Sequence, residues 1–116
     1  MTRRLIGDAR ESWLYDCRID QWEAQQLADI EHRHNDLMNG TKPVVIYSGR
    51  RTERRYGSCR IATGEIRLNS MGENLGTLAH ELAHLNYTGR RWHDQAFKEC
   101  HLSILQSFEE YARERR

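Results

Sequence analysis

The chain has 116 residues, 30% of them charged, and 18 Lys and Arg against 17 Asp and Glu leave a formal net charge of +1. That length supports one domain with one modest core, and the near balance of charge excludes a molecule held to nucleic acid by its overall field, so any such contact must come from local clusters. No stretch approaches the roughly 18 apolar residues that a membrane span needs, and the start has no apolar signal core, so a cytoplasmic protein with no membrane partner is expected.

Residues 1–18 read as an N-terminal arm or short helix, with Asp8-Ala9-Arg10-Glu11 ahead of Trp13, Leu14 and Cys17. Residues 19–116 read as the single folded domain. Asp20-Gln21-Trp22-Glu23 has the form of a capping box. Ile19, Trp22, Leu27, Ile30, Leu37 and Met38 then recur at near-helical spacing, which predicts a helix from about Gln21 to Met38, stopped by Asn39-Gly40 and Pro43.

Pro43 to Tyr47 is a β-branched run that suits a strand, and Arg50 to Arg55 follows as a polar loop. Tyr56 to Ile61 and Glu65 to Asn69 read as two more strands joined at Ala62-Thr63-Gly64, with Ile66 and Leu68 on a buried face and Glu65, Arg67 and Asn69 on a wet one. A small antiparallel sheet of about three strands is expected, within an α+β fold.

Ser70-Met71-Gly72-Glu73 reads as a second capping box, with Ser70 as N-cap, opening a helix from about Met71 to Tyr87. This helix carries His80-Glu81-Leu82-Ala83-His84, an H-E-x-x-H motif. At about 100° per residue the two histidines project from neighbouring directions one turn apart, with Glu81 at the edge of the same sector. Neutral imidazole nitrogens at that spacing suit one Zn2+ ion, and Glu81 is held beside it without having to bind it. Met71, Leu75, Leu78, Ala79, Leu82 and Leu85 occupy the opposite arc, so the polar face is expected to border a cleft.

Thr88-Gly89-Arg90-Arg91 breaks the helix, and Trp92-His93-Asp94-Gln95 leads into a third one whose stripe is Phe97, His101, Ile104, Phe108 and Tyr111, widened by Leu105 and Ala112. The charged run from Glu109 to Arg116 is expected to fray. Cys17, Cys59 and Cys100 form no C-x-x-C pair and read as small buried or half-buried thiols.

A catalytic zinc site has three protein ligands and one position for water. The metzincin spacing would place Gly at Tyr87 and His at Arg90, which excludes that subclass. Glu99 and Glu109 are rivals for a ligand from the following helix. His93 is the better third ligand, since it sits at a loop-to-helix junction that can fold back on the H-E-x-x-H face, whereas the spacing of His101 puts it on an apolar stripe and favours packing.

Several ordered blocks resemble the SprT-like zinc metallopeptidases, a family that includes a DNA-dependent crosslink protease. They are Asn35-Asp36-Leu37, Tyr56-Gly57-Ser58-Cys59-Arg60, Gly64 to Asn69, Thr77 to His84, and Trp92-His93-Asp94-Gln95-Ala96-Phe97, together spanning about Gln21 to Phe108. The resemblance implies a minimal zincin-like metallopeptidase core: an N-terminal helix, a small sheet, the H-E-x-x-H helix and a C-terminal helix. It matches His80, His84 and His93 to the zinc ligands and Glu81 to the catalytic glutamate. Asp94 departs from the Gly that follows the third histidine in many members.

The implied activity is zinc-dependent hydrolysis of peptide bonds in a protein or peptide substrate, with Glu81 taking the proton of zinc-bound water as it attacks the carbonyl. DNA-associated proteins are one substrate class. The alternative is a non-catalytic, zinc-stabilised nucleic-acid-binding module. Its Arg-rich hairpin would grip phosphates through Arg50, Arg51, Arg54, Arg55 and Arg60, with Tyr47, Tyr56 and Trp92 as stacking surfaces for DNA bases.

Overall fold

The computed structural model describes residues 13–33, 43–47, 56–60, 63–86 and 95–115. The first capping box forms as the residues predict. Asp20 Oδ1 accepts the Glu23 N–H at 2.7 Å, and Glu23 Oε1 accepts the Asp20 N–H at 3.2 Å. Helix α1, Gln21–Arg33, follows directly and buries Ala24, Leu27, Ala28 and Glu31. Its expected continuation to Met38, with Asn35-Asp36-Leu37, lies outside the described residues.

Three strands build one sheet: β1 (Val44–Tyr47), β2 (Gly57–Arg60) and β3 (Glu65–Leu68), in the order β1-β3-β2. Strands β2 and β3 are neighbours in the sheet. The Thr63 and Gly64 amides donate to Arg60 O at 3.2 and 2.9 Å, and Gly64 takes φ 72°, a left-handed conformation that a Cβ would strain. The pair is antiparallel, with Cys59 opposite Ile66, but β1 lies parallel to β3, with Val45 opposite Ile66 and Tyr47 opposite Leu68. The sheet is therefore mixed and not antiparallel as expected. Alternation along a strand tells which face is buried but not which neighbour it pairs with. Here β3 lies between the other two and faces β1 in the same direction.

Ile66 and Leu68 are fully buried and Arg67 is exposed, as the alternation predicts, but Asn69 is buried and not wet. Its Oδ1 accepts the N–H groups of Met71 and Gly72 at 2.9 and 3.0 Å, folding the chain between β3 and the next helix. The outer edge of β1 is closed by glutamines of α1. Val45 N–H donates to Gln25 Oε1 at 2.9 Å, Gln25 Nε2 donates to Pro43 O at 2.9 Å, and Gln21 Nε2 donates to Val45 O at 3.1 Å.

Helix α2 spans Leu75–Asn86. Its N-cap is Asn74, not Ser70: Asn74 Oδ1 accepts the Thr77 N–H at 2.8 Å, and Asn74 O accepts the Leu78 N–H at 3.2 Å. Met71, outside the helix, is 41% exposed rather than part of the apolar arc. The shift follows from contacts distant in sequence. Cys17 O takes the Leu75 N–H at 3.0 Å, Glu73 O takes the Ile19 N–H at 3.1 Å, and Arg18 bridges to Asn74. These bonds tie residues 13–19, with Leu14 fully buried, to the start of α2. Residues 1–12 of the expected arm or short helix lie outside the described residues.

Helix α3, Gln95–Arg115, packs along α2 and buries Phe97, His101, Ile104, Leu105, Phe108 and Ala112. The stripe is the one its spacing predicts, and the charged run is helical as far as Arg115. Tyr111 Oη donates to Glu23 Oε2 at 2.6 Å, Arg113 pairs with Glu109 at 3.0 Å, and the Arg113 guanidinium lies 5.6 Å from the Trp13 ring centroid. A charged run stays helical where its residues reach fixed partners. Among the described residues no helix is long and apolar enough to cross a membrane.

Candidate metal centre

Helix α2 runs between the sheet, α1 and α3, so it is buried nearly all round. Thr77, Glu81 and His84 are 3%, 7% and 8% exposed. The face that sequence places on a cleft is thus covered, and His80 alone on this helix is half-buried. A hydrophobic arc predicts which side of a helix is apolar, but not whether neighbouring elements also roof its polar side.

His80 and His84 converge as their i, i+4 spacing predicts. Their Nε2 atoms are 3.2 Å apart, and the rings meet edge to face with centroids 4.8 Å apart. Two nitrogens each about 2.0–2.1 Å from one tetrahedral zinc ion lie about 3.3–3.4 Å apart, so the pair is already at ligand spacing. The same distance suits one imidazole donating to the other, a contact that ligation would replace.

The first turns of α3 wall this pair. Phe97 lies with its ring centroid 4.5 Å from that of His84 and 5.6 Å from that of His80. The His101 ring stands at 89° to His80, with centroids 5.3 Å apart. His101 is therefore a buried packing residue, as its place on the stripe predicts, but it packs on a candidate ligand rather than on generic core. Phe97 and His101 are one helical turn apart, the only hint of this in the sequence.

Glu81 faces β2, where its carboxylate lies near enough to the Cys59 thiol for its charge to act on it. Burial above all, then the neighbouring Glu81 carboxylate, pushes the thiol up to about 12. Sequence reasoning treats Cys59 as an inert half-buried thiol and misses this contact, since 22 positions separate the partners.

The remaining expected site residues are placed unevenly. His93, the third ligand in the sequence reading, lies outside the described residues, as do Arg50, Arg51, Arg54, Arg55 and Trp92. Among the described residues no group of three His, Cys, Asp or Glu side chains converges to hold a metal ion. Glu99 is exposed, about 200° round α3 from Phe97, and accepts from Gln95 Nε2 at 3.4 Å. Glu109 is engaged by Arg113 at the far end of α3. Neither rival glutamate joins the histidine pair.

For the nucleic-acid reading, Arg60 is exposed at the end of β2, and Tyr56, just ahead of that strand, is 46% exposed. Tyr47 packs against the core and its hydroxyl donates to Ile19 O at 2.9 Å, so it is not a stacking surface. Burial, reinforced by the carboxylates of Glu73, Asp20 and Glu23, holds its phenol protonated well above the usual range. No protein-family model, curated protein or solved structure matches the chain.

Proposed function

We propose that the chain is a zinc-dependent metallopeptidase of the SprT-like, zincin type, hydrolysing peptide bonds in protein substrates. The observation that supports this best is the His80–His84 pair, with Nε2 atoms 3.2 Å apart and a buried carboxylate on the next residue. His80 and His84 would hold the ion, and His93 is the proposed third ligand. Zinc, when bound there, would supply Lewis acidity toward a peptide carbonyl and a water of lowered pKa.

Glu81 takes a proton from the attacking water and returns it to the leaving amine. Its 7% exposure keeps bulk water from competing for the carboxylate. Strand β2 is the outer strand on the Glu81 side of the sheet, and among the described residues no strand pairs with its other edge. An extended peptide added there would run past Glu81 with its main chain hydrogen-bonded to β2. Arg60 and Tyr56, both exposed, lie at the two ends of that strand and support a DNA-associated substrate as the narrower reading.

Metal analysis and peptide cleavage of three proteins test this together. The wild type is expected to bind one zinc ion and cleave an unfolded protein substrate, with chelation stopping cleavage and zinc restoring it. His93→Ala is expected to lose the zinc, and Glu81→Gln to keep it while losing about 100-fold or more in rate. A Glu81→Gln protein as active as the wild type would overturn the proposal. A wild type that binds zinc, cleaves nothing, and binds DNA with steep salt dependence would make the zinc-stabilised nucleic-acid-binding module the better reading.

A further inference from the structure

Strand β2 and helix α2 are in step where they meet. An ideal Cβ built on Gly57 would lie 2.9 Å from Thr77 Cγ2, so only a glycine lets the strand approach this turn of the helix. Alternate strand residues share a face and repeat every 6.6 Å or so, and four helical residues advance about 6 Å. The next inward position on β2, Cys59, therefore falls opposite the residue one turn beyond Thr77, which is Glu81. This register sets the Cys59 thiol beside the Glu81 carboxylate, whose charge acts on it. An ionised carboxylate only accepts, so in a bond between them the thiol is the donor.

We propose that Cys59 is a positioning residue for Glu81, its S–H holding the carboxylate in the orientation from which it takes and returns a proton. This rests on the metallopeptidase reading of the site. Glu81 reaches its place through rotatable bonds, and a donor fixed on a strand removes the freedom that the helix backbone leaves. A thiol suits the task because it is a weak donor: it directs the carboxylate without strongly stabilising its charge. With its pKa near 12, Cys59 keeps that proton throughout the neutral range and does not compete as a nucleophile.

Two measurements on the intact chain test the proposal. In the infrared spectrum, the S–H band that disappears in Cys59→Ser is expected at lower frequency than a free thiol, and to move back toward the free position in Glu81→Gln. In zinc-loaded protein, Cys59→Val is expected to lower kcat by about 10- to 100-fold with KM, zinc content and melting temperature little changed. Cys59→Ser, which retains an O–H donor, is expected to recover most of the loss. An S–H band at the free position, or Cys59→Val with wild-type kcat, would overturn the proposal. So would equal losses in Cys59→Val and Cys59→Ser, which indicate a packing role. A wild type that cleaves nothing overturns the peptidase reading and the positioning role with it, while the infrared band reports separately whether the Cys59–Glu81 bond exists.

Discussion

Cys59 and Glu81 make a stability prediction that does not depend on catalysis. The thiol has an ordinary pKa of 9.0 and is pushed up to about 12 in the fold. Between those values the unfolded chain releases a proton that the folded chain keeps, so stability is full below pH 9 and falls as pH rises toward 12. Tyr47 and Cys100 are displaced in the same direction, mainly by burial. The melting temperature of the wild type is therefore expected to fall above pH 9, and less steeply in Cys59→Val. Equal slopes would mean that the thiol ionises alike in both states. Asn74 is the other single residue on which the site depends, since it caps the helix that carries both histidines. Asn74→Ala is expected to cost about 1 kcal/mol, read from denaturant unfolding, whereas Ser70→Ala is expected to leave the cap intact.

Among the elements, the two outer strands of the sheet are treated differently. On β1, the Val45 N–H and C=O groups and the Pro43 carbonyl are satisfied by Gln25 and Gln21 of α1, so side-chain amides take the place of a further strand. An edge closed in this way does not template pairing with another chain. Gln25→Ala leaves the buried Val45 N–H without its acceptor and is expected to destabilise the fold by about 1–3 kcal/mol. Hydrogen exchange at the Val45 amide checks it: exchange is expected to accelerate in the variant more than at Ile66, in the middle of the sheet. Strand β2 places Cys59 toward Glu81 on one face, and among the described residues no strand pairs with its outer edge, so closure of β1 leaves β2 as the edge on the side of the proposed chemistry.

At the scale of the whole molecule, α1 and α3 are tied together across 88 positions by the Tyr111 hydroxyl and the Glu23 carboxylate. Glu23 also completes the cap of α1, so a single carboxylate joins the start of one helix to the end of another. Tyr111→Phe removes a hydrogen bond to a charged acceptor and is expected to cost about 1.5–3 kcal/mol, read from the denaturant midpoint. The His80–His84 geometry near the opposite end of α3 is expected to survive, so zinc binding by the variant should match the wild type once both are folded. Loss of zinc from folded Tyr111→Phe would show that the seating of α3 controls the histidine pair through Phe97 and His101.

What the sequence by itself determines is local. The i, i+4 spacing brings His80 and His84 to 3.2 Å, the Asp20–Glu23 box opens α1, Ile66 and Leu68 alternate into the core, and the stripe of α3 faces α2. Each is set by a helical or strand period, or by a cap closing over three residues. Tertiary structure alone decides the rest. Ser70-Met71-Gly72-Glu73 and Asn74-Leu75-Gly76-Thr77 both offer a capping residue, and the Cys17 carbonyl on Leu75 N–H helps select the second. The direction of β1, the covering of the polar face of α2 and the meeting of Cys59 with Glu81 likewise depend on residues far apart in the chain. No period along one segment encodes how two segments lie against each other, because that arrangement is chosen by burial and hydrogen bonding summed over the whole core.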